Sequence, residues 1–122
     1  MSTVFNEQIY LGDLLKFEEE NLYSRDTVTV AAGQDLPLGT VLGLLNGKAV
    51  ALDPAATDGS EKVAGVLIDD VNAVGDTESV MVSRNVLLSD QYVIWPSGIT
   101  APQKAAAIAE LNLLGVVLRK GA

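Results

Sequence analysis

The chain has 122 residues, sixteen acidic against eight basic for a net charge of −8, and neither cysteine nor histidine. Disulfides, thiolate nucleophiles, sulfur-ligated metals and histidine acid–base chemistry are therefore excluded, and any enzyme would need a carboxylate or lysine of strongly shifted pKa. The basic residues are scattered, with only Arg119 and Lys120 adjacent, which argues against a nucleic-acid groove or an anionic membrane surface as partner.

Met1 to Asp26 is polar, contains Glu18-Glu19-Glu20, and spaces out the apolar residues Val4, Phe5, Ile9, Tyr10, Leu11, Leu14, Leu15 and Phe17. Two readings fit: a flexible arm over residues 1–26 that orders by adding a strand to another chain, or an edge strand and loop tied to the core. No basic start leads into a long apolar run, so no export signal is expected and the protein is expected to be soluble and made in a cytoplasm.

From Thr27 the pattern is β, and residues 27–122 are expected to form one β-rich domain; a chain of 122 residues should bury roughly two thirds of its unfolded surface. Thr27 to Val30 alternates polar and apolar as a half-buried strand does. Gly33 to Gly39 reads as a loop turned by Pro37. Val41–Leu45 and Lys48–Leu52 flank Asn46-Gly47, which accept the positive φ angles of a tight hairpin. Asp53 to Glu61 is a polar loop. Strands are expected at Val63–Ile68, Glu78–Ser83, Val86–Leu88 and Tyr92–Trp95.

Pro96 removes a donor and holds Trp95 extended, so pairing ends there. Thr100 can accept from the amide of Gln103, and Gln103 can reach back, completing a capping box. The helix this opens, Ala101 to Leu114, should close at Gly115, with Val116-Val117-Leu118 as a final strand. Ile108 and Leu111 share one helix side while Leu113 and Leu114 point elsewhere. Such a helix is expected to be covered on more than one side, by its own domain or by a neighbouring subunit. The fold class is mainly β with one C-terminal α-helix, in the α+β class.

The chemical motifs dissolve on inspection. Gly43 to Ala49 has one residue too few between its glycines for a phosphate loop, and alanine where Ser or Thr should stand. Asp53 to Gly59 places Ala55, which has no side-chain oxygen, and Thr57, which has no carboxylate, at the alternate positions where a calcium loop needs oxygens before its closing Glu. Asp69 and Asp70, adjacent on a strand, point to opposite faces. The serines lack a histidine to activate them. No catalytic residue, metal or cofactor is expected, and the protein is read as not an enzyme.

The linear order of features then becomes informative. Ser24 to Val30, Leu38 to Gly43, Val50 to Ser60, Ala64 to Leu67, and Ile94-Trp95-Pro96 before the helix together resemble the head decoration proteins of lambda-type tailed phages. The resemblance runs from about Ser24 over nearly the whole remaining chain. The N-terminal arm differs from that of lambda's own protein, and the opening hairpin region is longer.

That resemblance implies a compact, barrel- or sandwich-like domain and a non-enzymatic virion protein. It would be made in the bacterial host and bind as homotrimers to the outer surface of the expanded head, at three-fold and quasi-three-fold sites. Its partners would be itself and the major capsid protein, with no nucleic acid or membrane, and it would stabilise the capsid against DNA pressure. The arm would bind capsid, with Val4, Phe5, Ile9, Tyr10 and Leu11 as contacts. Trp95, Pro96, Ile108 and Leu111 are expected in core or trimer packing. The competing readings are a small β-rich adhesion or carbohydrate-binding module and a carboxylate-dependent hydrolase, although Trp95 with Tyr10, Tyr23 and Tyr92 makes a sparse aromatic platform.

Overall fold

The computed structural model describes residues 14–18 and 25–120. Its organising element is the hairpin of β4 (Val41–Leu45) and β5 (Lys48–Ala51), paired antiparallel from Leu45↔Lys48 to Leu42↔Ala51. Asn46 and Gly47 take φ of 52° and 80°, the positive angles that let a two-residue turn follow the twist of its strands.

Pairing continues from β4 to β6 (Gly65–Leu67), from β6 to β8 (Thr77–Val82), and from β8 to β2 (Arg25–Val30). All of β2 pairs with β8, from Arg25↔Val82 to Val30↔Thr77. A parallel contact at Val30↔Ala49 joins β2 back to β5, which closes the barrel in the order β2-β5-β4-β6-β8. Closure occupies the edges of β2 and β5 where they meet, at Val30 and Ala49.

A second sheet has the order β1-β9-β10. Here β1 (Leu15–Glu18) is antiparallel and β10 (Val116–Arg119) parallel to the central β9 (Val86–Ser89). The parallel crossover is made by α1 (Ala101–Leu114), as a parallel pair requires.

Consecutive apolar residues in the barrel strands pack into different clusters. Leu42, Leu67 and Met81 join Val30 and Ala49 in one, the barrel interior. Their neighbours Val41, Val66 and Val82 join Leu88, Val116, Leu111 and Ala107 in the other, between barrel, sheet and helix. Both strand faces are therefore covered, which is why these strands read as apolar runs. A fully buried Val or Leu contributes about 1.5–3 kcal/mol.

Three observations depart from the sequence expectations. Tyr92–Trp95 is not a strand: Asp90–Tyr92 forms a 3-10 turn, and only Ile94 makes a single bridge, to Thr40. The loop expected at Gly33–Gly39 contains β3 (Asp35–Leu36), paired with an unforeseen β7 (Val71–Asn72), and Leu36 and Val71 enter the barrel interior cluster. Within the segment read as an arm, Leu14 is fully buried in the core, Leu15–Glu18 form β1, and Arg25 and Asp26 begin β2. The remainder of that segment, residues 1–13 and 19–24, lies outside the described residues.

Candidate functional site

The tryptophan turn is held to the barrel by its backbone. Ile94 N–H donates to Gly39 O at 2.8 Å, and Val41 N–H donates to Ile94 O at 3.2 Å. Ile99 N–H closes a turn onto Pro96 O at 3.2 Å, with Gly98 at φ 80°. Trp95 is half-buried against the outer core cluster, and Lys104 Nζ stands 5.5 Å from its ring centroid, within cation–π range.

The helix that follows begins with the expected capping box. Thr100 Oγ1 accepts from Gln103 N–H at 3.2 Å, and Gln103 Oε1 accepts from Thr100 N–H at 3.0 Å. Gly115 closes the other end at φ 93°, donating to Leu111 O and Asn112 O. Glu110 Oε1 accepts from Val63 N–H at 2.8 Å and ties the helix to the loop before β6.

Only Ala107 and Leu111 of this helix are buried. Leu113 is 88% exposed, and the coat that sequence leads one to expect on more than one side is not supplied by the described residues of this chain. Leu113 and Leu114 instead border a groove of about 510 Å³ with Leu44, Ala64 and Met81. Asp26 and Arg84 stand in the same groove, paired at 2.5 Å. Asp26 also accepts from Ser83 Oγ, and the hydrogen bonds from Ser83 and Arg84 hold its carboxyl below the ordinary aspartate value.

Three further concavities adjoin at Pro96. A slot of about 180 Å³ is lined by Trp95, Ile94, Leu52, Val41 and Asp35. Hollows of about 250 and 420 Å³ share Asp53 and Pro96, and the latter includes Asp58. The polar loop between β5 and β6 forms this wall through its own turns: Asp53 Oδ1 accepts from Ala55 N–H, and Asp58 Oδ1 accepts from the amide and hydroxyl of Ser60. Those Ser60 hydrogen bonds lower the Asp58 pKa. The loop lies close on β4, since a Cβ at Gly43 would come within 2.4 Å of Ser60 O.

Of the residues singled out from sequence, Trp95 and Pro96 meet at these concavities. Ile108 is half-buried and Leu111 lies wholly in the core. Val4, Phe5, Ile9, Tyr10 and Leu11 lie outside the described residues. Sequence reasoning missed Lys104 over Trp95, the anchoring of Ile94 at Gly39, and the Glu110–Val63 tie, each a contact between separate elements. Asp69 and Asp70 are both exposed, and Asp70 Oδ1 accepts from Leu38 N–H at 2.7 Å, a structural role. Among the described residues no group of three or more carboxylates is placed to hold a metal ion.

No match is found among curated proteins. Against known families, residues 4–116 match bacteriophage lambda head decoration protein D. The match takes in the barrel, β1, β9, the tryptophan turn and the helix and ends at the first residue of β10. The chain belongs to the bacteriophage lambda head decoration protein D family, structural proteins of the phage capsid.

Proposed function

We propose that this protein binds as a homotrimer to the outer surface of the expanded phage head, at three-fold and quasi-three-fold sites, and stabilises the capsid against the pressure of packaged DNA. The family match over residues 4–116 is the observation that carries the reading. The closed barrel packed on a second sheet supports it by providing a rigid body for a bridging clamp.

In this reading the segment before the body is the capsid-binding arm, and its partner is the major capsid protein. Leu14 anchors in the core and β1 begins at Leu15, so the proposed arm shortens to residues 1–13 and retains Val4, Phe5, Ile9, Tyr10 and Leu11 as contacts. Three arms on one trimer rebind at high effective concentration, so modest individual contacts give slow net release. A closed trimer also matches the symmetry of a three-fold site. The net charge of −8 suits an exterior position away from DNA.

The test is incubation with expanded heads that lack decoration, followed by sedimentation and a stability assay. The protein should co-sediment to saturation and raise the temperature of head disruption. Deletion of residues 2–13 should leave the body folded and abolish attachment; undiminished attachment of that variant refutes the arm role.

A further inference from the structure

We propose that the groove around Pro96 is one half of the contact between copies of this chain, and that the exposed end of β10 on the neighbouring copy is the other half. This deepens the trimer reading and rests on it. The groove joins three concavities with an apolar floor that includes Trp95, Leu52 and Val41. Its carboxylates are Asp35, Asp53 and Asp58, against one cation at its edge, Lys104, which stands 5.5 Å from the Trp95 ring centroid. An occupant should therefore combine apolar surface with positive charge.

The chain carries such a surface. Val117 is 46% exposed on β10, and Arg119 and Lys120 follow it, both exposed. They are the sole adjacent basic pair in the sequence. Among the described residues neither pairs with a carboxylate, whereas Lys48 is held by Asp76 and Arg84 by Asp26. Within the described residues β10 pairs with β9 along one edge only.

The chain's own segments outside the structure suit the groove poorly. Residues 1–13 and 19–24 contain Glu7, Asp13, Glu19 and Glu20 and no lysine or arginine. A contact between two different patches is heterologous, and such contacts generate rings when the rotation closes. Between subunits of net charge −8, a basic edge set into an acidic groove also offsets mutual repulsion and fixes which surfaces meet.

The experiment is a charge reversal with rescue, read by analytical ultracentrifugation of the full chain at low and moderate salt. Asp53→Asn/Asp58→Asn keeps an oxygen acceptor for each turn while removing the charge. Arg119→Glu/Lys120→Glu alters exposed residues. Each variant should retain its circular dichroism spectrum and dissociate at a protein concentration about tenfold higher than the wild type does, with the wild-type trimer weakening as salt rises. Combining Asp53→Lys/Asp58→Lys with Arg119→Glu/Lys120→Glu in one chain should restore association to within about threefold of wild type. A wild-type trimer indifferent to either charge change overturns this inference alone. A wild-type monomer at micromolar concentration overturns the trimer reading beneath it.

Discussion

Gly39 and Ile94 hold the tryptophan turn to the barrel through the 2.8 Å hydrogen bond from Ile94 N–H to Gly39 O. Position 39 cannot carry a side chain without moving its neighbour. Its φ is 98°, and a Cβ there would lie 2.3 Å from Tyr92 O. Gly39→Ala should therefore destabilise the fold by about 3 kcal/mol or more. Denaturant titration checks this, and a loss below about 1 kcal/mol would show that the turn relaxes freely.

The capping box gives a milder expectation. Thr100→Ala removes the acceptor for Gln103 N–H and should cost about 1 kcal/mol, or about 4 °C in Tm for a domain of this size. Thr100→Ser should recover most of the loss, because it restores the oxygen.

Helix α1 offers a contrast between Leu111, fully buried, and Leu113, 88% exposed. Leu111→Ala should cost about 2–5 kcal/mol through the cavity it leaves. Leu113→Ala should change the stability of the isolated subunit by no more than about 0.5 kcal/mol. Parallel urea melts of the dissociated subunits separate the two.

Acid sensitivity follows from three carboxyls held below the ordinary aspartate value of 3.8: Asp26 by Ser83 and Arg84, Asp58 by Ser60, and Asp76 by Lys48 and Ala32 N–H. Each folded pKa lies below the unfolded one, so their contribution is present above the unfolded value and disappears as pH falls through the folded values. Stability should decline below about pH 4. Asp26→Asn should shrink that decline, as followed by thermal melts from pH 7 to pH 2.

The parts of the fold legible in sequence were those fixed by local chemistry. Asn46-Gly47 marks its own turn, and Thr100, Gln103 and Gly115 mark both ends of the helix. The two-residue strands β3 and β7 carry no such mark, because each exists only through its distant partner. Tyr92–Trp95 imitated a strand by being apolar, yet Val93 is apolar because it enters the core, and Ile94 lines the slot beside Trp95, Leu52 and Val41. Leu14 and Leu15 read equally as arm or edge strand, since spacing alone does not distinguish a residue kept for a partner from one used in its own core. The concavities at Pro96 were hidden for the same reason: Asp53, Asp58 and Trp95 come together only when the barrel brings the loop and the turn to one side.

The pairing of β1 with β9 also has a mechanical consequence. Any tension on residues preceding Leu14 enters the body through β1, whose partners run from Leu15↔Leu88 to Glu18↔Val86. Antiparallel hydrogen bonds lie perpendicular to their strands, so a pull along β1 loads them together in shear, whereas a pull across the sheet opens them one at a time. The resistance of β1 to being pulled from its sheet is therefore directional, greatest when the force runs along the strand.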